Sequence, residues 1–357
     1  MVRMTVKSPK SSGSRIIALD YLRGFFISVI IIDHLWRWPN IFQYVTGRGE
    51  LWVSAAEGFI LISGLLVGYV HGYKKRKTPL KPLSFKLIKR GIMLYIWMWL
   101  TTIPLVAITW NWSPIGGMAY IPVQVGDWNQ LIKLMFEFNY AHSLTHFLYL
   151  YALYLMLSPV VIWTLRKGKW WLVIGASILA YLYGIQHEIE WLQWQILFFS
   201  ATTIGYYFEY LLNTFRLLPT KLKLAIRFGS IALMLGTFTY SLNIILAYEP
   251  GTYTDPTFTR RPLSFPTVPM ALLWFAGLLS AFTYLVPMLK KWGSFLLVFG
   301  ERSLTAYILH VVPLVIVQIL FKPTVGEFWF NTLLAAGCVA FTWALLKIPG
   351  INHIIPR

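Results

Sequence analysis

Residues 16–40 read IIALDYLRGFFISVIIIDHLWRWPN, a stretch apolar enough to enter a bilayer that nevertheless carries Asp20, Arg23, Asp33 and His34. Ionisable side chains are expensive in hydrocarbon. Where they occur they face a bundle interior or a wet cavity, and they mark function. On an α-helix turning about 100° per residue, the separation of Arg23 and His34 amounts to three turns plus roughly 20°, with a rise of roughly 16 Å. The two share a face, Asp20 falls within about 40° of it, and Asp33 points elsewhere. The helix therefore presents a polar seam of Asp20, Arg23 and His34 along most of its length. The plainer reading of the same residues is a helix-end Asp/Arg pair and a snorkelling interfacial histidine.

The rest of the chain has the composition of such helices repeated. Of 357 residues, 57% are hydrophobic, 17% aromatic and only 12% charged. Several apolar runs reach the ~20 residues needed to cross a bilayer core. This predicts an all-α, polytopic integral membrane protein and excludes a β-barrel, whose strands would read as short alternating segments. About ten transmembrane helices are expected, near 16–36, 52–72, 87–109, 144–165, 170–187, 191–212, 226–247, 267–289, 303–321 and 327–347. With the N-terminus inside, most of the 31 Lys and Arg fall on one side, among them Lys74 to Lys77, Lys86, Lys89, Arg166, Arg216, Lys223 and Lys290. The positive-inside rule then puts both termini in the cytoplasm, in a multi-pass protein of the cell (inner or plasma) membrane. The net charge of +18 is accordingly topological and suits the lipids of an anionic leaflet rather than nucleic acid. Residues 1–15, MVRMTVKSPKSSGSR, read as a disordered basic cytoplasmic leader without the cleavage site of a signal peptide, and 16–350 as a single transmembrane domain. Cys338 is the one cysteine, so no intrachain disulfide forms.

Beyond the seam, Glu57 opens the second span near the outer surface, at a depth expected to match His34, where a carboxylate would orient an imidazole. Its other reading is a cap on its own helix. Ser63, Gly64 and Gly68 permit close helix contact or leave room for a narrow ligand. The long outer segment 110–144, rich in Trp, Tyr, Gly and Pro, suits a loop lying on the membrane and partly covering a cavity. His142 and His146 have a spacing that could ligate a metal, but no carboxylate or cysteine accompanies them on that helix, so hydrogen bonding or substrate contact is expected instead. Gln193 and Gln195 are intramembrane amides, either glue between helices or cavity lining. Arg260 and Arg261 in a later outer loop are solvated charges or attract an anionic acceptor. Glu301, Arg302 and Ser303 enter the membrane ahead of His310, which stands about halfway across.

Several of these pieces resemble the transmembrane acyltransferase superfamily. DYLRGFFISVIIIDH (20–34) is similar to the first-helix signature of the acyltransferase 3 family, with Arg23 and His34 as its arginine and histidine. AAEGFILISGLLVGYVHG (55–72), HFLYLYALYLMLSPVV (146–161) and WQILFFSATTIG (194–205) resemble segments of the OpgC group, and GERSLTAYILH (300–310) a motif near the end of both. His146 stands where that group's pattern has an acidic residue. The resemblance implies an enzyme that passes an acyl group, acetyl or succinyl, from cytoplasmic acyl-CoA to a hydroxyl of an extracytoplasmic glycan or glycolipid. Acyl-CoA is then a cosubstrate and no cofactor is tightly bound. Arg23 would hold the cosubstrate and His34 would act as general base or carry the acyl group, both options being open. Glu57 would orient His34 and Asp20 would hold Arg23. Asp20, Ser63, His142, His146, Gln195, Arg302 and Ser303 are the expected substrate contacts. The competing reading is a transporter or flippase of a lipid, acyl or glycan substrate, although no inverted repeat is visible.

Overall fold

The computed structural model describes residues 16–111, 121–321, 327–351 and 355. The expected leader 1–15, residues 112–120 of the long outer segment, and Lys322 lie outside the described residues. Helices succeed one another as α1 (Ile17–Leu35), α2 (Gln43–Thr46), α3 (Ala55–Leu66), α4 (Leu80–Asn111), α5 (Trp128–Phe136), α6 (His146–Arg166), α7 (Trp170–Gln186) and α8 (Glu190–Tyr206). The chain continues as α9 (Phe208–Leu217), α10 (Thr220–Leu246), α11 (Thr267–Trp292), α12 (Ser294–Glu301), α13 (Ser303–Leu309), α14 (Val311–Leu320) and α15 (Phe328–Leu345). Among the described residues there is no β-strand, and seven helical stretches are long and apolar enough to cross a membrane. The span expected over 191–212 is cut at Tyr207. Beyond that break lies α9, a short amphipathic helix with no buried residue.

α1 is the axis of the bundle, touching α3, α11, α12, α13, α14 and α15. Leu22, Ile27, Ile31 and Leu35 along it are completely buried. The approach of α12 depends on two glycines. A Cβ on Gly24 would lie 1.9 Å from the Leu296 carbonyl oxygen, and one on Gly300 1.8 Å from that of Asp20. Such small residues allow backbones to meet where hydrophobic collapse between helices gives little. α3 meets α8 in the same way. A Cβ on Gly68 would lie 1.9 Å from the Thr202 carbonyl oxygen and one on Gly205 2.0 Å from that of Leu65, so close packing is the role of Gly68. Past Leu66, α3 continues through a π-helical turn, Val67–Lys74, along this contact.

Two local features place the site. Pro313 has no N–H for the carbonyl of Leu309 and its ring crowds that carbonyl, so the helix breaks between α13 and α14, at His310. The connection from α1 to α3 turns back beside α1 instead of staying at its tip. Gly49 lies against Asp33, and Gly58 against the ring of Phe26, two turns below His34. α3 therefore begins deeper in the bundle than α1 ends.

Candidate active site

His34 and His310 meet at the bend created by Pro313. His34 Nδ1 and His310 Nε2 are 3.0 Å apart. The other ring nitrogen of His310, Nδ1, is bonded to the carbonyl oxygen of Tyr307. A carbonyl can only accept, so His310 Nδ1 carries the hydrogen, and in a neutral ring Nε2 is then the acceptor. His34 Nδ1 consequently donates, which leaves the lone pair of neutral His34 on Nε2. That nitrogen makes no hydrogen bond among the described residues, and half-buried His34 lines a cavity of about 570 Å³ at this end of the bundle. The pair is held in register from outside. Gln318 Nε2 donates to the Leu35 carbonyl at 2.9 Å, and Arg37 donates to the Phe321 carbonyl, joining the ends of α1 and α14.

The opposite wall of the cavity is built on Glu190. One of its oxygens is 2.8 Å from His146 Nε2 and accepts from the Tyr149 hydroxyl at 3.2 Å. The other accepts from Arg261 Nε at 3.2 Å. Trp194, one turn further along α8, lines the same space, and its buried indole N–H has no partner among the described residues. Below, the cavity closes on rings. Phe147 meets Tyr307 edge-on at 5.6 Å and Phe59 at 4.9 Å, while Phe59 lies 6.0 Å from the Arg23 guanidinium. Arg23 itself donates to the Ser303 hydroxyl, joining α1 to α13. The seam is thus divided into an Arg23–Ser303 contact, a layer of aromatic rings, and the His34 cavity.

Two loops close over the cavity. Arg260 donates to Glu57, to the Gly49 carbonyl at 2.8 Å and to the Leu51 carbonyl. Trp52 stacks on Phe258 with centroids 4.4 Å apart and donates to Asp255 at 2.8 Å. Glu50 accepts from the Gly251 N–H at 2.6 Å. Burial pushes the Glu50 carboxyl up from its ordinary range, against the opposing pull of that N–H, Arg48 and Arg260.

Several expected contacts fall elsewhere. Glu57 does not reach His34: it caps α3 through Ser54 and pairs with Arg260 Nε at 2.9 Å, because α3 starts well below the tip of α1. Gln195 is interhelical glue, donating to the Ser177 carbonyl at 2.7 Å between α8 and α7, and it does not line the cavity. Ser63 is buried and also lines none of it. Buried His142 accepts the Leu144 N–H at the head of a 3₁₀ turn, burial holding its imidazole down to about 4, while His146 is engaged separately by Glu190. Arg302 donates to the Leu346 carbonyl at the end of α15, and buried Asp20 packs its backbone against Gly300. Of the expected substrate contacts only His146 lines the cavity directly, and Ser303 is joined to the seam through Arg23. Sequence reasoning assigned no site role to His310, Glu190 or Tyr307. The signal for His310 was a histidine midway along an apolar span, and for Glu190 a carboxylate at the head of one.

Helical throughout its described secondary structure, with helices of membrane-crossing length and a histidine-lined cavity at one end, the chain has the architecture of a membrane protein. The chain belongs to the OpgC protein family, which it matches over residues 15–349. It is accordingly a membrane acyltransferase. No curated protein and no solved structure matches it.

Proposed function

We propose that the protein transfers an acyl group, acetyl or succinyl, from acyl-CoA to a hydroxyl of an extracytoplasmic glycan or glycolipid, with His34 as general base. The observation that carries this reading is the hydrogen-bonded chain from the Tyr307 carbonyl through His310 to His34, which leaves a lone pair on Nε2 at the cavity wall. An acceptor hydroxyl in the cavity gives its proton to Nε2 as its oxygen bonds to the thioester carbonyl carbon, and the thiolate of CoA departs. Imidazolium at His34 still donates from Nδ1 to His310, so the chain needs no rearrangement as charge develops. General-base catalysis fits this geometry better than an acyl-histidine, since the lone pair faces the side on which the acceptor enters.

On this reading the chain crosses the membrane ten times, with α1, α3, α4, α6, α7, α8, α10, α11, the α13–α14 pair and α15 as spans and both termini cytoplasmic. The cavity then opens outward and Arg23 lies towards the cytoplasm, where its planar fork suits the oxygens of the donor. The ring layer of Phe59, Phe147 and Tyr307 supports passage of an acyl arm over passage of a whole glycan, and so favours an enzyme over a transporter. The site takes glycan hydroxyls with Trp194, His146 and Arg261 as lining. Membranes containing the protein, given radiolabelled acetyl-CoA or succinyl-CoA and a broad pool of extracted glycans, are expected to label the glycans from one donor. Folded protein that labels nothing from either donor overturns the reading.

A further inference from the structure

At the end of the bundle opposite the His34 cavity, α9 and α10 meet at a corner that encloses a second cavity of about 380 Å³. Arg216 comes from α9, and Thr220, Lys223, Leu224 and Arg227 from one face of α10, with Phe215 completing the wall. No carboxylate lines it, and among the described residues none of the three cations pairs with one. Glu209, the acid of α9, is engaged by the Tyr69 hydroxyl at 2.6 Å. The cations are held in place by neutral groups. Lys223 Nζ donates to the Arg216 carbonyl at 3.3 Å, Arg216 Nη1 donates to Asn213 at 3.4 Å, and the Arg227 guanidinium lies 5.2 Å from the Phe215 ring and 5.8 Å from that of Tyr284. α10 begins at Thr220, after Pro219 in the capping position, with no side-chain cap, so the first N–H groups of this 27-residue helix add their positive end to the same corner.

We propose that this corner binds the phosphate of an anionic phospholipid. Converging cations, an uncapped helix start and the Thr220 hydroxyl are the chemistry of phosphate recognition. What makes the phosphate a lipid's is α9. None of its residues is buried, Tyr210 is 68% and Leu217 86% exposed, and such an amphipathic helix needs the boundary between headgroups and acyl chains as its medium. Phe215 and Leu224 place apolar surface beside the cations, where the glycerol and upper acyl chains of a lipid continue. The inference is independent of the acyl-transfer reading.

The test is native mass spectrometry of the purified full-length protein titrated with phosphatidylglycerol or phosphatidylcholine, with CoA and inorganic phosphate as soluble competitors. Phosphatidylglycerol is expected to be retained preferentially. Lys223→Gln should weaken its retention about fivefold and Arg216→Gln with Lys223→Gln about 25-fold, at roughly one charge interaction each. Arg227 is left intact because it also packs on Tyr284. Lys133→Gln, an exposed cation on α5, should change nothing. Equal retention of the two lipids, wild-type retention by the double variant, or displacement of phosphatidylglycerol by equimolar CoA or phosphate would overturn the proposal.

Discussion

At His34 the chemistry turns on which ring nitrogen bears the proton, and the answer is set two residues away by a backbone carbonyl. His310→Ala removes the acceptor for His34 Nδ1 and frees the ring to take either tautomer. Transfer should fall by a factor within the ~10²–10⁴ range of general-base catalysis, with KM little changed. His310→Gln, whose amide oxygen can accept from Nδ1, should fall less, and comparing kcat in the two variants tests the orientation argument. Glu50 gives a prediction with a pH sign. Its carboxyl titrates higher folded than unfolded, so the folded state holds the extra proton, and stability is lost as pH rises from the ordinary carboxylate range through the raised value. The melting temperature of wild type minus that of Glu50→Gln should therefore increase as pH is lowered from 7 to 5. Arg23 and His34 were legible in the sequence because both lie on one helix, whose period alone relates them. The pairing of His34 with His310 was not, since it spans 276 positions and depends on a bend set by Pro313. Nor was the separation of Glu57 from His34, because a carboxylate's depth depends on how far the 36–54 connection descends.

Helix contacts here are set by a few backbone approaches, and these can be tested one at a time. Gly24→Ala places a methyl group against the Leu296 carbonyl and should cost about 1–3 kcal/mol, as overpacking does, read as a lower melting temperature in detergent. Gly175→Ala on α7 meets nothing within 4 Å and should be neutral or stabilising by up to ~1 kcal/mol through helix propensity. The latch between the loops makes a different demand. Arg260→Ala strands the fully buried Glu57 carboxylate and should destabilise by about 3 kcal/mol, partly recovered when Glu57→Gln is added. Small residues at 64 and 68 pointed to close packing from sequence alone. Their partners, Phe198 and Thr202, could not be read there, because helix neighbours depend on the arrangement of the whole bundle.

For the molecule as a whole, apolar run length was enough to identify an all-helical membrane protein, while the break at Tyr207 that separates α9 from α8 was hidden inside an apolar run. The proposed ten-span topology is open to labelling, because Cys338 is the single cysteine and can be replaced. In a cysteine-free chain, a cysteine at Gly251 should react with an impermeant maleimide in intact spheroplasts, and one at Gly168 only after lysis. Both glycines lie in positive-φ turns; a Cβ at Gly168 meets nothing within 4 Å, and one at Gly251, whose N–H is bonded to Glu50 at the cavity rim, meets the Trp36 ring at 3.3 Å. The central claim is that a single lone pair, on His34 Nε2, takes the acceptor's proton. The most direct measurement is acyl transfer from radiolabelled acetyl-CoA and succinyl-CoA into extracted glycans by membranes carrying wild type or His34→Ala, matched for expression and for melting temperature. Label incorporated by wild type and lost by at least about a hundredfold in His34→Ala is the predicted result. Equal incorporation by the two would contradict it.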